Sequence, residues 1–153
     1  MLKRKLQAFT LLEMVVVLGL FLSVTFLLLP VTINKIQGNK LDKEATNLLS
    51  YLFVQQQNSY SSYQDKSYGI SLAPDKFIIY SGNSLGTADS VETIILNPVN
   101  QISQMNLSDS ATEIHFAKGS FRPDHSGYLD ISNQSKKYRI NINPEGLITI
   151  STI

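Results

Sequence analysis

The 153-residue sequence contains no cysteine. No disulfide can hold the fold together, and no thiolate can ligate a metal. Histidine is nearly absent too. The two present, His115 and His125, argue against a strong zinc site. Charge of one sign is also lacking, because 13 basic and 12 acidic residues leave a formal net charge of +1. That balance argues against a generally nucleic-acid-binding surface. One region has almost no charge at all. From Phe9 to Val31 the only charged side chain is Glu13. Roughly 20 apolar residues span a bilayer, and this run meets that length. It is about twice the core of a secretory signal, and no small-x-small cleavage site follows it. Residues 27–33 read Leu-Leu-Leu-Pro-Val-Thr-Ile, bulky throughout.

What is present in the run is a carboxylate. A bare carboxylate in hydrocarbon is costly, so an intramembrane acid marks a functional site and calls for a partner. Lys3, Arg4 and Lys5 precede the run. By the positive-inside rule they stay in the cytoplasm and the carboxy-terminal part lies outside the membrane. A cut between Ala8 and Phe9 would make Glu13 the fifth residue of the new chain. A free amine would then lie one helical turn away, as the natural positive partner.

This arrangement resembles the type IV pilin and pseudopilin family. The resemblance rests on a short basic leader, small Ala8 before the cut, the block Phe9-Thr10-Leu11-Leu12-Glu13, and the apolar helix after it. Pro30, the twenty-second residue after the cut, matches a kinking proline of many family helices. Ala8 departs from the usual glycine. The resemblance implies cleavage by a prepilin peptidase between Ala8 and Phe9, with N-methylation of Phe9. It also implies pairing of Glu13 with a neighbouring subunit's amine, which sets axial register and recruits the subunit. Removing residues 1–8 takes away three of the 13 basic residues and no acids, leaving 10 minus 12, or −2. Thr10 is placed to satisfy a free N–H at the helix start, and Glu13 is favoured there by the macrodipole. The implied partners are the peptidase, other major and minor pilins or pseudopilins, the inner-membrane assembly platform, and the lipid bilayer before assembly. A plain single-pass anchor is the simpler alternative, and it leaves Glu13 unexplained.

The rest of the chain reads as α+β. Leu41, Ala45, Leu48, Leu49, Leu52 and Phe53 fall at helical spacing and form one apolar stripe. Lys40, Asp42, Lys43, Glu44 and Asn47 take the other face. Gly38 loosens the helix, with Asn39 or Asp42 as a cap for a second segment. The polar stretch 55–65 ends the helix. Strands follow at 68–72 and 76–81 around the turn Ala73-Pro74-Asp75, then at 91–96, 102–107, 113–117, 128–132, 138–142 and 147–150. Asn143-Pro144-Glu145-Gly146 is a turn with Pro second and Gly fourth. The expected fold is a long N-terminal helix, membrane anchor continuing into the head, packed on a small antiparallel β-sheet head. The expected segments are a leader at 1–8, a transmembrane or filament-core helix at 9–33, its continuation at 34–65, and the head at 66–153.

The carboxy-terminal layout is similar to that of GspH/FimT-like minor pseudopilins, with the general plan of ComGD-like competence pseudopilins. It is carried by Ile114-His115-Phe116-Ala117-Lys118-Gly119, Gly127-Tyr128-Leu129-Asp130-Ile131, Tyr138–Gly146 and Leu147-Ile148-Thr149-Ile150. The resemblance implies a minor subunit at or near the tip of a pilus, a type II secretion pseudopilus or a competence pseudopilus. Leader and anchor are common to these machines, so the sequence defines the class and not the machine.

Other constellations carry less. Asp124-His125-Ser126 are adjacent in a loop, and a catalytic triad is built by spatial geometry, not by adjacency. His115 reads as a surface or edge residue. Asp75, Asp89 and Asp109 lie in loops without the spacing of a calcium loop. The chemistry assigned is assembly rather than catalysis, with no cofactor. Two alternatives come from other classes: an anchored adhesin or sensor head with no filament role, which would keep residues 1–8, and DNA capture at a filament tip, through Lys118, Arg122, Lys136, Lys137 and Arg139. The simpler reading of those residues is a solvated strand edge, which lysines also protect from aggregation.

Overall fold

A computed structural model describes the backbone of residues 10–153 and the side chains of residues 10–26 and 39–153. Ala8 and Phe9 lie outside the described residues, as do Lys3, Arg4 and Lys5. Helix α1 is assigned from Leu11 to Tyr60. It contributes to two compact units, Met1–Ile36 and Gln37–Ile153. The helical assignment continues through Pro30 and through residues 38–42, so neither Asn39 nor Asp42 caps a new helix. The Pro30 side chain is not among those described.

In the second unit α1 buries one stripe. Leu41, Leu48 and Leu52 are wholly buried, with Ala45 between them. The spacing i, i+4, i+7, i+11 is that of a single helix face. The same line continues to Gln55 and Ser59, both buried. Phe53 was expected on this stripe, but it is 44% exposed. It lies one residue past Leu52, about 100° around the helix, and so faces off the core.

Eight strands follow: β1 (Tyr68–Ala73), β2 (Lys76–Ser81), β3 (Ser90–Ile95), β4 (Gln101–Leu107), β5 (Glu113–Phe116), β6 (Gly127–Ser132), β7 (Lys137–Ile142) and β8 (Ile148–Thr152). They form two four-stranded antiparallel sheets rather than the single sheet expected, in the orders β3-β2-β1-β5 and β4-β6-β7-β8. The division falls at Asn97–Asn100. Glu44 of α1 holds this turn, accepting from the Asn97 amide at 2.8 Å and the Asn100 side-chain amide at 2.7 Å. Pro98 cannot donate to a strand ladder. The chain therefore leaves the first sheet, and β4 pairs with β6 instead of β3. Glu44 is thus a structural anchor, not a solvent-facing charge.

Alternation along the strands supplies one core from both sheets and the helix. Ile70, Leu72, Phe77, Ile114 and Phe116 come from the first sheet, and Ile102, Leu129, Ile131, Ile140 and Ile142 from the second. The two turns read from sequence form as expected. Asn143 O accepts from the Gly146 amide at 3.0 Å. Gly146 has φ +87°, a conformation that a residue with a Cβ adopts only with strain.

Candidate functional site

The first candidate is the start of α1. Thr10 precedes the first helical residue, and its hydroxyl accepts from the Glu13 amide at 3.3 Å. The Glu13 carboxylate accepts in return from the Thr10 amide at 3.4 Å and the Thr10 hydroxyl at 3.5 Å. This is a capping box, in which two residues each satisfy an N–H left free by the helix end. The distances are at the long end for hydrogen bonds. The sequence signal Thr-x-x-Glu was present, although only the Thr10 half was expected. Beyond it, every large apolar side chain between Leu11 and Phe26 is exposed, from Leu11 at 86% to Val16 at 53%. The few hydroxyls turn inward. Ser23 donates to the Gly19 carbonyl and Thr25 to the Phe21 carbonyl, each at 2.8 Å. Such back-bonding hides a hydroxyl from an apolar environment. Among the described residues no helix is long and apolar enough to cross a membrane. The apolar run of the sequence, Phe9–Val31, reaches past the described side chains at both ends.

The second candidate is the face of the first sheet that points away from the core. Tyr80, Gly69 and His115 lie side by side on three adjacent strands. Gly69 is what makes room, because a Cβ there would lie 2.5 Å from the Tyr80 ring and hydroxyl. The Tyr80 ring lies parallel to His115, with centroids 6.4 Å apart, and its hydroxyl donates to Glu113 at 3.1 Å. Burial, reinforced by the Glu113 carboxylate, pushes the Tyr80 phenol well above its ordinary range. His115 Nδ1 is 2.5 Å from an Asp124 carboxylate oxygen. His115 is on an edge strand, as one of its two expected placements has it, but it is not at the surface, being only 9% exposed. The reason is tertiary: the loop carrying Asp124 folds over it, with the Asp124 amide donating to the His115 carbonyl at 2.9 Å. Nε2 of His115 is buried without a hydrogen-bond partner. Ser126 donates its amide to Ser108 Oγ at 3.2 Å, and His125 faces Asp109 at 3.7 Å. Asp124, His125 and Ser126 do not form a triad. No cluster of three metal-ligating side chains occurs among the described residues.

The third candidate is the basic set. Each member meets a carboxylate. Lys118 pairs with Asp65, and Arg122 pairs with Glu145 at 2.5 Å. Lys136 pairs with Asp42 at 2.8 Å, where the Tyr138 hydroxyl also donates at 2.8 Å. The Lys136 hydrogen bond holds the Asp42 carboxyl below its usual value, against the opposing effect of burial. Lys137 and Arg139 converge on Asp130. Asp130 is wholly buried although it points away from the core. Arg139 donates to both of its oxygens, at 2.8 and 2.9 Å, and lies 3.8 Å above the Tyr128 ring. The Arg139 hydrogen bonds lower the Asp130 pKa, with Lys137 adding to the effect and burial opposing it. The five cations thus share four carboxylates, Lys137 and Arg139 meeting on one, and the single excess charge supplies little field for a phosphate backbone.

These features define an α+β protein whose helix begins in an acid-marked apolar segment. Comparison with family models, with curated proteins and with solved structures gives no match.

Proposed function

We propose that the chain is a minor type IV pilin-like subunit, a pseudopilin with a GspH/FimT-like head. A prepilin peptidase cuts it between Ala8 and Phe9 and methylates the new amine of Phe9. Phe9–Val31 anchors it in the cytoplasmic membrane with the head outside. It then enters a pilus, type II secretion or competence filament at or near the tip. The observation that carries this reading is Glu13, the one acid in the first turn of a helix segment whose large side chains are all apolar and exposed. A helix apolar on every side needs lipid or other helices around it. Packing among subunits supplies the second environment, and a neighbour's amine offsets the buried charge. The basic residues, five cations held by four carboxylates, give the DNA-capture alternative no added support.

The capping box favours one competing reading. It gives Glu13 a local role at the helix start, so a plain anchored head also accounts for it. Co-expression with a prepilin peptidase separates the two, read by intact mass and amino-terminal sequencing. The expected product begins at N-methylated Phe9. A chain still beginning at Met1, in cells where a control prepilin is cut, would establish the plain anchor.

A further inference from the structure

We propose that strand β3 is a self-pairing edge that joins two copies of this chain into one continuous sheet. The proposal stands independently of the filament reading. It starts from the phase of the hydrogen-bond ladder. In antiparallel strands, alternate residues exchange bonds with the partner and the rest point away. The Gly82 amide donates to the Ser67 carbonyl at 2.8 Å, and the Leu96 amide to the Asp75 carbonyl at 2.9 Å. Together with the register, these bonds make Phe77–Ile94, Ile79–Glu92 and Ser81–Ser90 the bonded pairs. The amides and carbonyls of Val91, Thr93 and Ile95 therefore point away from β2. Since β3 is the last strand of its sheet, they point to an open edge.

Of the usual protections that edge carries only a charged side chain, Glu92. Open edges are normally blunted by lysine, proline, bulges or covering loops. At the opposite side of the sheet, β5 is covered through the Phe116–Pro123 bridge and the Asp124 amide. β4 has a register shift between Ile102 and Gln104. β3 has an unbroken register, no Lys and no Pro, and its side chains are exposed at every position except Ile94. All three outward-directed residues are β-branched, the type best suited to strands.

The occupant is a second copy because the strand is complementary to itself. A two-fold axis through Thr93 sets Thr93 against Thr93, and Val91 against Ile95 of the other copy. Val91 and Ile95 are 55% and 76% exposed, and this register covers both. It also sets Glu92 opposite Ile94, which avoids a like-charge pair. Ile94 borders a groove of ≈ 250 Å³ rimmed by Lys40 and Lys43, and both lysines are exposed. Each Glu92 thus arrives beside the other copy's lysines. Glu44 in the same groove is already engaged by Asn97 and Asn100. The interface is isologous and closed.

The cysteine-free sequence makes the test direct. Full-length chain carrying Thr93→Cys is purified in detergent micelles and oxidised mildly. Bonded cross-strand residues have Cα atoms about 5.5 Å apart, within the roughly 4.4–6.8 Å that a disulfide spans. A reducible dimer is the expected result. Glu92→Cys is expected to stay largely monomeric, because Glu92 faces Ile94 and not itself. Adding Val91→Lys and Ile95→Lys to Thr93→Cys sets like charges opposite each other, and is expected to cut the yield about tenfold, or ~1.4 kcal/mol. Three results would each overturn the proposal. The first is a yield no greater than from Ser135→Cys, an exposed site in the turn between β6 and β7, which reports random encounters in the micelle. The second is equal crosslinking from Glu92→Cys. The third is crosslinking of Thr93→Cys in cells to a different polypeptide in place of itself, which would make the edge a heterologous docking site.

Discussion

Asp130 is a polar residue on which the fold depends. It is wholly buried, while Lys137 and Arg139 keep 36% and 30% of their side-chain surface exposed. Breaking a buried pair costs roughly 3–5 kcal/mol. The partial exposure of both cations puts Asp130→Asn at the low end, about 3 kcal/mol in urea unfolding at neutral pH. The sign of the pH dependence follows from the lowered carboxyl pKa. A depressed folded-state pKa gives stability that is full above the unfolded value, near 4. That stability is lost as pH falls through the lower folded value. The gap between the wild-type chain and Asp130→Asn should therefore hold constant from about pH 7 to pH 5 and narrow below about pH 4. A gap that stayed constant at low pH would mean that the carboxylate charge contributes nothing. None of this was legible in the sequence, where Lys137 and Arg139 read as a free basic edge. Their partner is on the neighbouring strand, and Lys136 meets Asp42 from 94 positions away. Ion pairing across that distance depends on tertiary structure that no local pattern encodes. The burial of His115 on its edge strand was not legible for the same reason, since Gly69, Tyr80 and Asp124 surround it only once three strands and a loop are assembled.

At the scale of the element, α1 poses a question about Glu13 that two substitutions separate. Gln fills the same position of a capping box, so Glu13→Gln keeps the helix start and removes the charge. Glu13→Ala removes both, with a capping loss of about 0.3–1.5 kcal/mol. If the charge pairs with a neighbour's amine, both variants should be cleaved normally and neither should enter filaments, as read by intact mass and by the filament fraction. Normal incorporation of Glu13→Gln beside failure of Glu13→Ala would assign Glu13 to helix initiation alone. Elements as such were largely readable. The strands came from alternation and from turns that Pro74-Asp75 and Asn143-Pro144-Glu145-Gly146 announce through fixed φ and tolerated positive φ. The inward turn of Gln55 and Ser59 was not readable, because polar residues look like a solvent face. Ser59 is buried so that its hydroxyl can donate to the Phe116 carbonyl at 2.8 Å while its own carbonyl accepts from Gly119. Gln56 likewise donates to the Phe121 and Gly146 carbonyls, at 2.7 and 2.6 Å. The last turns of α1 are thereby fastened to two loops.

At the scale of the molecule, the second unit should stand alone. A fragment of residues 37–153 retains Leu41, Ala45, Leu48 and Leu52, and should unfold in one cooperative step followed by circular dichroism. A fragment beginning at Phe53 loses three fully buried leucines, each worth roughly 1.5–3 kcal/mol. Their sum, about 5–9 kcal/mol, rivals the whole stability of a domain, about 5–15 kcal/mol. That shorter fragment should show no cooperative transition. The α+β class was legible from one helical pattern followed by strands. Division into two sheets was not, because it depends on which strand β4 joins. Pairing between distant strands is selected by the assembled core rather than by the strand's own residues.

The strand orders carry a consequence for how the chain comes into being. β4 belongs with strands that follow it, and β5, later in sequence, returns to the sheet begun by β1 and β2. The two sheets are therefore interleaved along the chain. As the polypeptide emerges amino-terminus first, β1, β2 and β3 can pair at once. β4 must wait for β6, with Ile102 and Leu107 uncovered, while β5 passes between them to the other sheet. The chain crosses that interval with its second sheet unformed, and this is when a chaperone or a protease would have its clearest access to the head.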